Sequence, residues 1–202
     1  MEEKKTAYDL LADSVKIVLV GTTHPGNIGA SARAIKTMGL KRLLLVSPKD
    51  FPNDVALYRA KAAKDVLEQA EMHPDLFSAT KDCELIIGTS ARNRKVPWPL
   101  VTPRQAGQEI VQALQQGVNK VAVVFGREDR GLTNEELGMC NLHVHIPTNE
   151  EYSSLNLSQA VQILSYETRL AMLENYDLIE KPEWDVAVSY THLTLPTTGV
   201  VG

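Results

Sequence analysis

The sequence predicts an α/β domain with a mainly parallel sheet and helices on both faces. Three observations carry this. Short β-branched runs that end in glycine recur, as in 15–21 (VKIVLVG) and 120–126 (KVAVVFG), which is how strands buried on both faces read. Segments with helical periodicity separate them. The stretch 15–46 has the size of one strand–helix–strand crossover. A chain of 202 residues, 44% hydrophobic and 23% charged, is long enough for one domain with a real core.

The elements follow in order. The strand 15–21 leads into Pro25-Gly26, a turn signal, with Asn27 as the expected N-cap. Ile28, Ala32, Ile35 and Met38 recur at helical spacing, and Gly39 stops the helix. The run 42–46 (RLLLV) is the next strand, closed by Ser47-Pro48. The Ala-rich segment 54–64 reads as helix, 66–70 fits either state, and 75–81 reads as a short helix. A strand at 84–88 (ELIIG) precedes a basic, Pro-rich stretch that runs to Pro103. Helix is expected at 103–116 and strand at 120–126. A Thr133-x-x-Glu136 capping box opens 133–137. The strand 142–146 ends at Pro147, and 155–175 is the longest helical pattern, with Ala160, Val161, Leu164, Thr168 and Ala171 on one face. The expected division is an N-terminal tail at 1–14, the domain at 15–175, and a short C-terminal tail at 176–202, flexible or not native to the domain.

Composition excludes several classes. Two cysteines, Cys83 and Cys140, rule out a disulfide scaffold or a multi-cysteine zinc site, and neither lies in a CxxC motif. Both read as inert thiols. The five histidines are scattered, so no metal is expected. No apolar run reaches the length of a membrane span, and the first ten residues lack signal-peptide order. The expected compartment is the cytoplasm, with no membrane partner. There is no GxxxxGK[ST] loop, no GxGxxG and no GxSxG elbow. Net charge is −4, which by itself argues against nucleic acid as a partner. The charge is uneven, however. Residues 1–105 hold 16 basic and 12 acidic side chains, and residues 106–202 hold 5 and 13. Such asymmetry points to a charged partner on one face.

Open α/β sheets bind ligands beyond the carboxyl ends of their strands. Four such ends carry loops rich in Gly, small hydroxyl and charged residues. These are Gly21 to Arg33, Gly88-Thr89-Ser90-Ala91-Arg92, Gly126 to Leu132, and Pro147 to Asn156. They suggest a nucleotide-like ligand approached closely by main chain.

Together the loops resemble the three signature motifs of the SpoU branch of the SPOUT RNA methyltransferases. Asn27-Ile28-Gly29-Ala30-Ser31-Ala32-Arg33 matches the first, N-x-G-x-x-x-R. Val124-Phe125-Gly126-Arg127-Glu128-Asp129-Arg130-Gly131-Leu132 matches the second. Ile146-Pro147 with Ser153-Ser154-Leu155-Asn156-Leu157-Ser158 matches the third. Finer features are similar to members that methylate a ribose 2′-OH at position 32 of the tRNA anticodon loop. These features are Gly88-Thr89-Ser90-Ala91-Arg92 with Pro97-Trp98-Pro99, the run Gly131 to Leu137, and Glu151-Tyr152-Ser153. The resemblance implies a C-terminal trefoil knot, a homodimer, S-adenosylmethionine as cofactor and tRNA as partner. It assigns cofactor contacts to Thr89, Ser90, Ala91, Gly126, Ile146, Ser153, Ser154 and Leu155. It assigns catalysis to Arg33, Asn27, Glu128, Ser154 and Asn156.

Several roles stay open. Arg33 either positions a phosphate and eases alkoxide formation or takes the proton itself; its high pKa favours the first. Asn27 orients Arg33 or the substrate, or merely caps its helix. Glu128 holds Arg33 or a loop, or pairs with Arg127 or Arg130. Asn156 is a site residue or the cap of the last helix, and Tyr152 stacks on a base or packs. The acid-free stretch 90–104, with Arg92, Arg94, Lys95, Arg104 and Trp98, has the charge and aromatic content of a loop that binds single-stranded RNA. Lys41, Arg42, Arg59, Lys61 and Lys64 extend that patch. Three other readings remain: a SpoU enzyme for another tRNA or rRNA ribose, a non-catalytic RNA-binding dimer, and a nucleotide-binding regulatory α/β domain, on which the Arg/Trp loop at 90–104 is hard to explain.

Overall fold

A computed structural model describes residues 7–90, 99–149, 151 and 153–176. Its seven strands form one sheet in the order β3-β2-β1-β6-β4-β7-β5. The strands are β1 (Val15–Val20), β2 (Arg42–Val46), β3 (Glu71–His73), β4 (Leu85–Thr89), β5 (Leu100–Val101), β6 (Val121–Phe125) and β7 (Leu142–Val144). Every pairing is parallel. The helices are α1 (Ala7–Ser14), α2 (Pro25–Thr37), α3 (Asp54–Ala60), α4 (Lys64–Glu68), α5 (Leu76–Thr80), α6 (Pro103–Gln115), α7 (Asn134–Gly138) and α8 (Leu157–Asn175).

Alternation along the strands divides the core into two layers. Val15, Ile17 and Leu19 of β1, with Val121, Val123 and Phe125 of β6, pack beneath α2, α6 and α8. Val18 and Val20, with Ala122 and Val124, pack against Leu76 and Ala79 of α5 and Leu137 of α7. Helices therefore cover both faces. Ala7–Ser14, within the stretch expected as an N-terminal tail, is α1, and its Leu11 is only 1% exposed. The C-terminal stretch from 177 lies outside the described residues.

Three boundaries differ from expectation, each for a physical reason. The N-cap of α2 is His24, not Asn27. Pro25 fits the first helical position because its missing N–H has no partner there anyway. The helix expected over 54–64 stops at Ala60. Lys61 takes a φ of +52°, then a 3₁₀ turn at Lys61–Ala63 leads into α4. The edge strands β3 and β5 were not expected, because three and two residues are too short to show a period. Their state comes from pairing with β2 and β7.

The N-terminal ends of β1, β4 and β6 are stapled by charge. Lys16, 4% exposed, reaches Asp82 at 2.8 Å, and Lys120 reaches the same carboxylate at 2.7 Å. These two ammonium groups hold the Asp82 carboxyl far below its ordinary range. Among the described residues, no helix is long and apolar enough to cross a membrane and no group of three or more His, Cys, Asp or Glu could hold a metal.

Candidate functional site

At the opposite, C-terminal ends of the strands lies a cavity of about 340 Å³. Thr89 and Ser90 line it from the end of β4, and the loop 125–132 after β6 forms one wall. Ile146 and Thr148 follow from β7, and Ser153, Ser154, Leu155, Leu157 and Ala160 lead into α8. Three expected loops thus meet. The backbone fixes their edges. Ser90 N–H donates to the Val144 carbonyl at 2.9 Å, and the Thr89 hydroxyl donates to the Val124 carbonyl at 3.0 Å.

The loop 126–132 is closed by its own residues. Arg127 and Gly131 exchange backbone hydrogen bonds of 3.2 and 2.8 Å. The Arg127 guanidinium forks onto Glu136, with both bonds 2.9 Å. Glu136 also accepts from the Thr133 N–H at 2.7 Å, completing the capping box of α7. Burial pushes the Glu136 carboxyl up, but the Arg127 fork and the Thr133 N–H outweigh it and leave it below its ordinary value. Arg127 and Glu136 were not among the expected site residues. The capping box was legible, but a fork between side chains nine positions apart depends on how the loop folds.

Gly126 lines the cavity and also meets a packing need inside the protein. Its missing Cβ makes room for the Gly131–Leu132 backbone, which a side chain would strike. Gly29, likewise, lets α2 press on the Ala56 carbonyl of α3. In both places the close approach is between parts of the protein.

Glu128, in the same loop, ties it to the start of α2. Its carboxylate accepts from the Thr23 N–H and Thr23 hydroxyl at 3.0 Å each, from the His24 N–H at 3.2 Å and from Asn27 Nδ2 at 2.9 Å. Burial raises its pKa, but these bonds outweigh that and leave the carboxyl below the usual glutamate range. Asn27 Oδ1 in turn accepts from Asn156 Nδ2 at 3.0 Å. Asn156 Oδ1 caps α8, accepting from the Ser158 N–H at 2.9 Å. A directed chain, Asn156 to Asn27 to Glu128, thus links all three motifs.

This arrangement corrects several expectations. Asn27 is in the first turn of α2 and holds Glu128, not its own helix cap. Its side chain is bonded to Glu128 and Asn156, and among the described residues it makes no bond to Arg33. Glu128 pairs with neither Arg127 nor Arg130, because Arg127 is taken by Glu136 and Arg130 by Asp129. Arg33 is exposed on α2 and is not part of the cavity lining. Arg104 lies in the first turn of α6, 3.7 Å from Glu174, and is not part of the cavity lining. Ala91, Arg92, Arg94, Lys95, Trp98 and Tyr152 lie outside the described residues. His143 and His145 are bound near the backbone carbonyls of Leu137 and Ser90, at 3.0 and 3.3 Å. Burial pushes the Cys83 thiol up to about 11 and the Cys140 thiol up to about 12, as inert thiols require.

The profile of the SpoU rRNA Methylase family matches residues 14–166. A Pseudomonas aeruginosa protein named tRNA (cytidine/uridine/adenosine-2'-O-)-methyltransferase TrmJ is 50% identical over 163 residues, covering 81% of this chain. That match spans 63% of the Pseudomonas protein, less than two thirds of its length. A Pectobacterium atrosepticum tRNA (cytidine/uridine-2'-O-)-methyltransferase TrmJ is 44% identical over 205 residues, covering 95% of this chain and 83% of its own. The structure of TrmJ from Z. mobilis superposes with a TM-score of 0.72 at 38% identity, covering 77% of this chain and 69% of that one. A probable methylase family protein from Haemophilus influenzae gives 0.75 at 46% identity, with 83% and 70% coverage. With three motifs joined by one hydrogen-bonded chain, two of them lining the cavity, and a family profile running across residues 14–166, the chain belongs to the SpoU methylase family.

Proposed function

We propose that this chain transfers a methyl group from S-adenosylmethionine to the ribose 2′-hydroxyl of a cytidine or uridine at position 32 of the tRNA anticodon loop, and that it does so in the cytoplasm as a homodimer. The observation that carries the reading is the Asn156–Asn27–Glu128 chain, which ties motif one to the two motif loops that line the cavity. The names of relatives at 44–50% identity supply the acceptor class.

The cavity suits the donor. Leu132, Leu155 and Leu157 offer apolar walls for a flat base, while Ser153 and Ser154 supply hydroxyls beside open main chain. Thr89, Ser90, Gly126, Ile146, Ser153, Ser154 and Leu155 would hold it. When bound, S-adenosylmethionine supplies a methyl already activated on a sulfonium, so the protein's tasks are binding, alignment and proton handling. The 2′-oxygen would gain a bond to the methyl carbon as the methyl–sulfur bond breaks and S-adenosylhomocysteine leaves, and the hydroxyl proton would pass to solvent water. Glu128 is no base for that proton, since its oxygens already accept four hydrogen bonds. Arg33, exposed on the same α2 whose start Glu128 fixes, holds an RNA phosphate and stabilises the developing alkoxide. The knotted threading belongs to the same reading. It is supported by one segment after β7 that lines the cavity beside both the β4 and β6 loops.

Labelled donor and unmodified tRNA test this, with mapping of the product. A ribose methyl at position 32 is expected. A methyl on a base overturns the assignment, and a ribose methyl elsewhere moves the enzyme to another acceptor. Donor binding without transfer favours the RNA-binding module.

A further inference from the structure

Helix α3 presents a strip that no part of the motif site explains. Tyr58 is 67% exposed, and Lys61 Nζ stands 3.8 Å from its ring centroid. Lys61 reaches that place through a left-handed backbone, φ +52°, which a side-chain-bearing residue rarely adopts. Arg59 lies beside this pair. Its stem crosses the motif-one face of α2, where a Cβ on Gly29 would come within 2.9 Å of Arg59 Cβ and one on Gly26 within 3.8 Å of Arg59 Cγ. One turn beyond Gly29, on the same face of α2, is Arg33.

Among the described residues, the guanidiniums of Arg33 and Arg59 have no hydrogen-bond or ion-pair partner. The acid closest in sequence past this strip, Asp65, is already engaged by Lys36 at 2.7 Å, leaving Asp54 at the far end of α3. Uncommitted guanidiniums beside an exposed tyrosine suit a single-stranded nucleic acid. Bases stack on the ring, and phosphates take the guanidiniums in bidentate fashion. We infer that Tyr58, Arg59 and Lys61 form a docking strip for a single-stranded segment of the RNA substrate, with Arg59 and Lys61 on its phosphates and Tyr58 under a base. The strip would guide the strand toward Arg33. This rests on the RNA reading above.

Tyr58→Ala, Arg59→Gln, Lys61→Ser and the triple variant, each made in the 202-residue chain, test it. Each is measured for anisotropy of labelled unmodified tRNA across a salt series, for calorimetric donor affinity and for sedimentation. Tyr58→Ala and Arg59→Gln are expected to weaken RNA binding about fivefold or more each. Arg59→Gln should lower the slope of log affinity against log salt by about 0.7–0.9. Tyr58→Ala should leave that slope unchanged, Tyr58→Phe should bind as wild type, and donor affinity should not move. A triple variant with normal donor affinity and RNA affinity within twofold of wild type overturns the strip while leaving the RNA reading intact. A change in sedimentation without a change in RNA affinity also overturns it, assigning the face to a second copy of the chain. Wild type that binds no RNA removes the reading and the strip together.

Discussion

Glu128→Gln keeps the length of the side chain and removes the charge that four donors share. The expected cost is about 1–3 kcal/mol, with methyl transfer reduced about 10–100-fold because α2 and the loop 126–132 lose their common anchor. The pH dependence has a definite sign. The folded carboxyl titrates below its ordinary 4.5, so its stabilisation is complete above that value and is lost as pH falls through the lower folded value. The gap in melting temperature between wild type and Glu128→Gln should therefore be widest at neutral pH and close under acid. A gap independent of pH would show that the charge is not what matters. The cysteines give a second check. With thiols held at about 11 and about 12, neither should alkylate appreciably at pH 8 until the chain is unfolded, as read by mass spectrometry.

Two packed elements give stability predictions. A methyl at Gly29 strikes the Ala56 carbonyl at the crossing of α2 and α3, so Gly29→Ala should cost about 1–3 kcal/mol. That corresponds to a fall of about 2–4 °C in melting temperature per kcal/mol. Asp82→Asn leaves Lys16 buried without its counter-charge at the base of β1, and should cost about 3 kcal/mol in urea unfolding. What was legible here depended on whether an element carries its own cause. The runs VKIVLV and VAVVF read as strands because their residues belong in a buried sheet. Glu71-Met72-His73 reads as nothing in particular, since β2 alone makes it a strand. The break after Ala60 was hidden for a similar reason, because Lys61-Ala62-Ala63 consists of good helix formers. At the site, the motifs identified Asn27, Glu128 and Asn156, but their partners were not legible. Those bonds span 101 and 129 positions, and no local pattern encodes them.

Across the whole molecule, the sheet separates two tasks. Its N-terminal edge holds the Lys16–Asp82–Lys120 staple, and its C-terminal edge holds the cavity. If the chain works as a pair, sedimentation should give twice the 22.3 kDa of one chain. A mass of one chain at micromolar concentration would remove the dimer from the proposal. The amide chain that joins the motifs also sets an order of events during synthesis. Asn27 leaves the ribosome early and Asn156 among the last of the domain, so a nascent chain spends most of its emergence with α2 made and its anchor missing. Donor affinity is thereby a report on completion: polypeptides released before residue 156 carry the first two motifs and should still fail to close the site.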